Sequence, residues 1–315
     1  MYHYVRDLRN SKYPNIKGLD ARLFKEQVKY LARNYCVISM EELIYCIDNN
    51  SQLPEKSALL TFDDGYFDHF DCVMPILSEY KMQGSFYPPA NAILNNIVLD
   101  VNKIHFILAT VNDSSVLVKE LFSILDEYRT EYDLNNNESY FKKHAVARRK
   151  DTADVIFIKQ MLQVVLPEAL RLIICNRLFH KYVTHDEASF SRELYMNIEQ
   201  IRSLKDNGMH IGSHGYGHYW LGSLSKEKQE IEIDRSLEFL QLAGSDIKNW
   251  TMCYPYGNYN EDTMNILKCK GCKLSLTTKT DIADLRIYNR FELPRLDTNE
   301  IPMNLSAANA WFDKA

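Results

Sequence analysis

Two adjacent carboxylates, Asp63 and Asp64, stand between a short apolar run and Gly65. Because neighbouring carboxylates repel each other, one of them must take up a proton or a cation must lie between them. A bound metal ion is a common solution, since its charge overrides the local pKa values. The alternative is a solvated acidic turn in which an aspartate caps the next helix. A metal site here therefore needs further ligands from elsewhere in the chain.

Two histidines, His214 and His218, are candidates for those ligands. Their spacing places both side chains on one side of a helical turn. Gly215 and Gly217 would each cost such a helix about 1 kcal/mol, so their presence needs another explanation. Bare backbone that leaves room beside a metal ion is one such explanation.

The elements that must position these residues alternate between strands and helices. Residues 58–62 predict a buried strand that ends at the two carboxylates, and residues 85–87 predict the next strand. Residues 209–212 predict a strand ahead of the histidines, and Asp20 is expected to cap a helix. This alternation favours a parallel α/β arrangement, in which catalytic groups collect at strand ends.

Size and composition allow one large α/β barrel or two ordinary domains. The chain has 315 residues, of which 46% are apolar and 25% charged, so a large core is feasible and global disorder is excluded. The net charge of −5 argues against nucleic acid as a main partner. The sequence contains neither a secretory signal nor an apolar run of about 20 residues. We expect a cytoplasmic protein without a membrane span.

The seven cysteines are odd in number and scattered, which argues against a disulfide framework and agrees with a reducing cytoplasm. Cys269 and Cys272 have the spacing of a redox pair. However, Gly271 between them is typical of a helix end that precedes a strand. We therefore expect both cysteines to be structural.

Residues 98–190 interrupt the alternation with helix-like segments and few strand signals. We expect a helical insertion within a single domain that spans residues 1–315. The basic run at residues 142–150 could hold a phosphate on a substrate or carrier, but a solvated helix face is the commoner explanation. A short helix is expected from about Pro302.

Three motifs in order carry a resemblance to a known family. Residues 61–65, the histidine pair in residues 213–218, and residues 254–257 resemble the signatures of the polysaccharide deacetylases (NodB homology, carbohydrate esterase family 4). The resemblance extends over most of the chain outside the insertion. It implies a distorted (β/α)7 barrel of the NodB-homology type that contains the helical insertion.

The resemblance also implies a divalent metal ion, usually Zn²⁺, held by Asp64, His214 and His218. Two imidazoles and one carboxylate leave open positions for water and substrate, as in hydrolytic zinc sites. Asp63 would be the general base, and the main-chain N–H of Tyr256 would stabilise the oxyanion. The implied reaction removes an N-acyl group, expected to be acetyl, from a sugar or a glycan-biosynthesis intermediate.

Two positions depart from the family pattern. Many members have an arginine that holds the catalytic aspartate where this chain has Cys253, and Arg295 is the expected substitute. Many members also have a late histidine that acts as the general acid, but no histidine follows His218. His3 is the expected replacement and His69 a second candidate, although His3 could instead be a hydrogen-bonded structural residue. Without such an acid the metal alone would assist the leaving group, which predicts slow turnover.

Three other functions are compatible with these residues. Related barrels hydrolyse non-sugar amides, and the two departures would also suit a glycan-binding protein that has lost catalysis. Two histidines with one carboxylate are, in addition, the ligand set of iron(II) oxygenases. The carboxylate adjacent to the metal ligand favours hydrolysis over oxygenation.

Overall fold

The structure is a computed structural model, and it describes residues 1–148 and 151–302. These residues form two compact units. Unit 1 comprises the described residues of Met1–Asp7, Gly18–Ile97 and Ser191–Ala315, and unit 2 comprises Leu8–Lys17 and Val98–Phe190. The helix expected from about Pro302 and the last part of the basic run lie outside the described residues.

The strands of the described residues belong to unit 1, and all their pairings are parallel. They are β1 (Val5–Arg6), β2 (Leu19–Asp20), β3 (Cys36–Val37), β4 (Ser57–Ala58), β5 (Leu60–Asp63), β6 (Gly84–Tyr87), β7 (His210–Ile211), β8 (Met252–Cys253) and β9 (Ser275–Leu276). The sheets have the orders β1-β2, β3-β4, β5-β6-β7 and β8-β9. Parallel strands with helices between them confirm the predicted α/β class.

Isolated parallel bridges link three of these sheets into a row. Tyr2 pairs with Phe62, Ser213 with Met252, and Leu276 with Leu293. The named strands of the described residues form separate sheets rather than one closed ring. The seven-unit barrel therefore stays a prediction.

The helices fill the connections between strands and make up most of unit 2. They are α1 (Ala21–Asn34), α2 (Met40–Asp48), α3 (Met74–Glu79), α4 (Ala90–Asn95), α5 (Asp100–Thr110), α6 (Ser114–Tyr128), α7 (Asn137–His144), α8 (Ala153–Gln160), α9 (Glu168–Tyr182), α10 (Glu187–Leu194), α11 (Ile198–Asp206), α12 (Lys226–Leu242) and α13 (Glu261–Cys269). Asp20 caps α1 by accepting from the Arg22 N–H, as predicted.

The core of unit 1 lies directly beneath the strand that carries the two carboxylates. Phe62 on β5 stacks on Phe86 of β6 at 4.8 Å and on Tyr2 at 5.1 Å, and all three side chains are fully buried. Offset aromatic stacking of this kind adds directional contacts to the burial of apolar area. The end of β5 is therefore packed on buried aromatic rings where the acidic pair begins.

Unit 2 is a helical body whose core includes Leu121, Ile124 and Phe157. Its buried cation, Lys103, pairs with Glu187 at 2.9 Å and donates to Asn176 at 2.6 Å. In α7 no residue is buried, so the part of the basic run within this helix, residues 142–144, lies on a solvated helix face.

Two further sequence predictions can be compared with the structure. The described cysteines are all free, Cys269 ends α13, and Gly271 adopts a positive φ of 74° directly after the helix. This is the predicted helix end. Among the described residues, no helix is both long and apolar enough to span a membrane.

Candidate active site

A sharp turn after β5 separates the two carboxylates. Asp63 ends the strand, whereas Asp64 and Gly65 both have left-handed backbone, with φ of 71° and 63°. A Cβ on Gly65 would lie 2.7 Å from the Pro88 Cβ, so only glycine fits at this position. The turn therefore gives the neighbouring aspartates different surroundings.

Asp64 uses its two oxygens differently. Oδ2 accepts a hydrogen bond from the Tyr66 hydroxyl at 2.6 Å. Oδ1 lies 3.4 Å from His214 Nε2 and 3.3 Å from His218 Nε2. All four side chains are buried. One carboxylate oxygen and two imidazole nitrogens therefore converge on one point in the interior of unit 1.

The histidines reach this point from a loop, which corrects the expected helical turn. Residues 212–218 contain no helix, Gly215 has a φ of 73° and His218 a φ of 58°. His214 Nδ1 donates to the Cys253 carbonyl oxygen at 2.7 Å, which leaves Nε2 as the acceptor nitrogen for a cation. The glycine before this loop is required by a close contact, because a Cβ on Gly212 would lie 2.7 Å from the Thr251 hydroxyl.

A carboxylate on α12 holds the loop between the two histidines. Glu232 accepts the Gly217 N–H at 2.7 Å. Burial raises the pKa of Glu232, although the main-chain hydrogen bonds from Gly217 and Tyr216 oppose that rise. No sequence motif marks Glu232, because its contact with the loop depends on how α12 packs.

The donor set fits a tetrahedral divalent metal ion. The ligand atoms of Asp64, His214 and His218 all lie within 4.8 Å of one another. Zinc bonds of about 2.0–2.1 Å at tetrahedral angles place ligand atoms about 3.4 Å apart, close to both carboxylate–imidazole distances. Burial alone would raise the pKa of Asp64, but the adjacent imidazoles of His214 and His218 outweigh it and hold that pKa well below its usual range.

Asp63 faces an arginine instead of the histidines. Arg295 donates from Nη1 to Oδ1 at 2.9 Å and from Nη2 to Oδ2 at 2.8 Å, and both residues are buried. Its Nε donates to the Thr277 carbonyl oxygen at 2.9 Å, which fixes the plane of the guanidinium. Burial would raise the pKa of Asp63, but the Arg295 charge holds it well below the usual range. The expected substitute arginine thus reaches the aspartate.

Cys253 occupies the place beside this ion pair. Its Sγ lies 3.4 Å from Asp63 Oδ2 and 3.0 Å from Arg295 Nη2. Burial raises the pKa of the thiol, so it is neutral here. Asp63, His214 and Cys253 are also close enough to form a second donor set. That set is the poorer metal site, because Arg295 already occupies both oxygens of Asp63.

His3 and His69 contact each other through the His3 main chain, and they differ in exposure to solvent. His3 Nε2 is 3.8 Å from Asp63 Oδ2, and its side chain is 41% exposed. His69 is fully buried, and its Nε2 donates to the His3 carbonyl oxygen at 2.8 Å. Burial lowers the pKa of His69 to about 4. His3 therefore lies partly exposed beside Asp63, whereas His69 contacts its main chain from the core.

Tyr256 lies beside the histidine pair at the tight turn after β8. Its φ is 58°, and Gly257 follows with a φ of 65°. Its ring contacts His218 at 4.7 Å and stacks on Trp220 at 4.4 Å with an interplanar angle of 7°. Sequence reasoning did not single out Trp220, although its position two residues after His218 was a signal that could have been used.

Comparison with known proteins identifies the same family as the sequence motifs. The family model described as "Polysaccharide deacetylase" matches residues 50–275. The Bacillus subtilis protein YxkH, whose curated name assigns it provisionally to the polysaccharide deacetylases, is 27% identical over 88 residues. That match covers 28% of this chain and 29% of YxkH, so the chain spans less than a third of the length of this relative.

Two solved structures share the fold. The Streptococcus pyogenes deacetylase PplD in complex with acetate has a TM-score of 0.58 at 18% identity, over 97% of this chain and 94% of PplD. A de-N-acetylase from Aggregatibacter actinomycetemcomitans has a TM-score of 0.54 at 17% identity, over 99% of this chain and 97% of that protein. At these identities the two likenesses describe the fold alone.

Proposed function

The chain belongs to the polysaccharide deacetylase family, and on that premise we propose that it is a metal-dependent hydrolase of N-acylated sugars. Its substrate is a sugar or a glycan-biosynthesis intermediate, and the group removed is most simply acetyl. One observation supports this most strongly. Asp64, His214 and His218 converge on one point, while the adjacent Asp63 is paired with a different partner.

A divalent cation, most simply Zn²⁺, would be held by Asp64 Oδ1 and by Nε2 of His214 and of His218. When bound, it supplies Lewis acidity, which lowers the pKa of a coordinated water towards about 7 and polarises the acyl carbonyl group. Tyr66 and the Cys253 carbonyl oxygen keep two of these ligands oriented. The site therefore needs little rearrangement to accept the ion.

Asp63 acts as the general base in this proposal. Arg295 keeps it ionised, so it can accept a proton from the water that attacks the acyl carbon. The bidentate pair also fixes the direction of the carboxylate. The Tyr256 main-chain N–H is assigned to the carbonyl oxygen as negative charge develops there.

His3 acts as the general acid. As the carbon–nitrogen bond breaks, it donates a proton to the departing amine, and the products are a free amino sugar and a carboxylate. Its partial exposure and its distance of 3.8 Å from Asp63 support this role. A proton taken by Asp63 could pass to His3 over such a distance through one water molecule.

The fold proposal follows the same family. We assign the strands of unit 1 to a distorted (β/α)7 barrel in one domain, with residues 98–190 as its insertion. The bridges from Tyr2 to Phe62 and from Leu276 to Leu293 support this assignment. The Met1 nitrogen donates to the Leu296 carbonyl oxygen at 2.8 Å, which brings the two ends of the strand row together.

The contact between Arg295 and Asp63 weakens the case for a glycan-binding protein without catalysis, since it supplies one of the two groups that the chain lacks at the family's usual positions.

The proposed function is tested by measuring hydrolysis. Protein reconstituted with Zn²⁺ is incubated with N-acetylglucosamine oligomers, and free amine and acetate are measured in parallel with ureides and formamides. Equal release of amine and acetate from the sugars supports the proposal. Turnover of only the small amides, or of no compound, contradicts it.

A further inference from the structure

Four side chains of unit 1 form a hydrogen-bonded network that has no part in the proposed reaction. The Glu41 carboxylate on α2 lies 3.3 Å from His210 Nδ1, and His210 Nε2 lies 2.9 Å from the Thr251 hydroxyl. That hydroxyl lies 3.1 Å from the Tyr87 hydroxyl. The Glu41 side chain is 60% exposed, whereas Thr251 and Tyr87 are fully buried. This His210 network therefore connects a carboxylate at the surface with two hydroxyls in the core.

The two buried residues of the His210 network also bind the main chain beside the proposed metal ligands. The Tyr87 carbonyl oxygen accepts the Asp64 N–H at 3.1 Å. The Thr251 carbonyl oxygen accepts the Ser213 N–H at 2.9 Å, one residue before His214. A displacement of Tyr87 or Thr251 would therefore displace a segment that carries a metal ligand.

The direction of each hydrogen bond follows from Glu41. The hydrogen bond from His210 lowers the pKa of Glu41 to about 2, so the carboxylate is ionised and can only accept. His210 Nδ1 therefore carries a hydrogen, and in the neutral imidazole Nε2 is an acceptor. It accepts from the Thr251 hydroxyl, which in turn accepts from Tyr87. With neutral His210, every polar hydrogen of the network has an acceptor.

Protonation of His210 removes this match between donors and acceptors. The imidazolium donates from both nitrogens, so the Thr251 hydroxyl must accept from Nε2. Neither buried hydroxyl has another hydrogen-bond partner among the residues that the structure describes, so one hydroxyl hydrogen is left without an acceptor. A buried donor without a partner is unfavourable, which favours a rearrangement of Thr251 and Tyr87.

His210 is the member of the network whose charge changes in weak acid. Among the described residues, Glu41 on α2 and Tyr87 on β6 are the other titratable groups that contact His210 or its partner Thr251. Burial raises the pKa of Tyr87 far above its usual value, so its hydroxyl stays protonated. Glu41 stays ionised, as its lowered pKa requires.

We propose that neutral His210 is a positioning residue for the metal site, and that its protonation in weak acid weakens the hold on Asp64 and His214. The inference rests on the proposed function and adds a regulation of the same site by pH. His210 is not one of the proposed ligands, so it acts through Thr251 and Tyr87. In acid the metal ion is then bound less tightly than protonation of its own ligands requires.

Three variants change the network in different ways. His210→Gln keeps one donor and one acceptor but stays neutral at every pH. Glu41→Gln keeps an acceptor oxygen and removes the charge that favours the imidazolium. Thr251→Val removes the hydroxyl that connects His210 with Tyr87. The matched control is His185→Gln, because His185 is exposed and lies in unit 2.

The affinity for Zn²⁺ is measured by competition with a chromophoric chelator at about pH 7.5 and about pH 5.5, on either side of the pKa of an ordinary histidine. We expect the wild type and His210→Gln to bind equally at the higher pH. At the lower pH the wild type should bind about tenfold more weakly than His210→Gln, the usual effect of groups that orient metal ligands. His185→Gln should follow the wild type at both.

The other two variants test the direction of the effect. In Glu41→Gln the loss of affinity should begin at a lower pH than in the wild type. Thr251→Val should bind Zn²⁺ more weakly already at the higher pH, because its connection to Tyr87 is lost at every pH. A ratio of wild-type to His210→Gln affinity that does not change with pH, or wild-type affinity in Thr251→Val, would overturn the inference.

Hydrogen exchange separates this inference from the proposed function. The protection of the Asp64 and Ser213 N–H groups, corrected for the intrinsic rate at each pH, is measured by NMR with and without Zn²⁺. It should fall in acid in the wild type but not in His210→Gln. If both readouts show this difference but no sugar is hydrolysed, the positioning role stands and the hydrolase proposal fails. If sugars are hydrolysed and neither readout distinguishes the variants, the hydrolase proposal stands and the positioning role fails.

Discussion

Arg295 and Asp63 are 232 positions apart in the chain, yet the guanidinium contacts both carboxylate oxygens at 2.8–2.9 Å. The residue beside them, Cys253, stands where many family members have the arginine themselves. A small thiol at this position leaves room for a guanidinium that comes from the other side. In this chain the ion pair is made by an arginine from a later segment, two residues after the bridge at Leu293.

We expect Arg295→Lys to lose most activity, because one ammonium group cannot make two parallel hydrogen bonds with a carboxylate. Arg295→Ala should also destabilise the fold by about 3–5 kcal/mol, since it leaves a buried carboxylate unpaired. Steady-state kinetics and urea unfolding measure the two effects. The control is Arg290→Lys, because Arg290 pairs with Asp48 in a partly exposed bridge that should contribute little. Wild-type activity in Arg295→Lys would contradict the role given to the pair.

The two adjacent aspartates should separate metal binding from catalysis. We expect Asp63→Asn to retain one Zn²⁺ per chain and to lose hydrolysis, because the amide cannot accept the proton from water. Asp64→Asn should lose the metal, since it removes the charged ligand. Elemental analysis and amine release are measured on both variants. Loss of metal in Asp63→Asn would show that Asp63 is a ligand.

Glu232 should increase the affinity for the metal ion although it is not one of the proposed ligands. Its carboxylate holds the Gly217 N–H, one residue before His218. We expect Glu232→Ala to weaken Zn²⁺ binding by about tenfold or more, as is usual for groups that orient metal ligands. Competition with a chromophoric chelator measures the affinity directly. Glu232→Gln keeps an acceptor oxygen, so its Zn²⁺ affinity should lie between those of the wild type and Glu232→Ala. An unchanged Zn²⁺ affinity in Glu232→Ala would show that the loop keeps its conformation without this carboxylate.

His69 should make the protein less stable in weak acid. Burial lowers its pKa from 6.5 to about 4, and its Nδ1 has no hydrogen-bond partner among the described side chains and main chain. Below about pH 6.5 the unfolded chain takes up a proton that the folded protein does not accept until about pH 4. The free energy of unfolding should therefore decrease as the pH is lowered from about 6.5 to about 4, by about 3 kcal/mol in total.

Urea unfolding between pH 4 and pH 7 tests this dependence on His69. His69→Phe keeps an aromatic ring against Phe62 and Phe86 and should reduce the slope. His185→Gln replaces an exposed histidine and should leave the slope as in the wild type. An unchanged slope in His69→Phe would assign the acid sensitivity to other groups.

His3 should matter most for substrates with a poor leaving group. We expect His3→Ala to reduce amide hydrolysis by about 10²-fold, the usual contribution of a general acid. The hydrolysis of an aryl acetate should be reduced far less by His3→Ala, because a phenolate leaves without protonation. The exposed His180→Ala serves as the control. Equal losses on both substrates would indicate a structural role for His3, as its contact with His69 also allows.

Much of the site could be predicted from the sequence because its chemistry is local. Asp63 and Asp64 are neighbours at the end of an apolar run, and this alone demands a compensating charge. His214 and His218 supply the right donor atoms within one short segment. The alternation of strands and helices places such segments at one edge of a parallel sheet, which is why the α/β class and the proximity of Asp64 to the two histidines were predictable.

Tertiary structure decided the partners of these residues. A sequence does not say that Tyr66 holds one oxygen of Asp64, or that Glu232 on α12 holds the loop between the histidines. It also suggested a helical turn where left-handed backbone at Gly215 and His218 makes a loop. Burial and long-range packing set these contacts, and neither is encoded by spacing along the chain. The sequence determined which atoms could bind a metal and move a proton. The fold decided which side chains each carboxylate contacts: the imidazoles of His214 and His218 for Asp64, and Arg295 for Asp63.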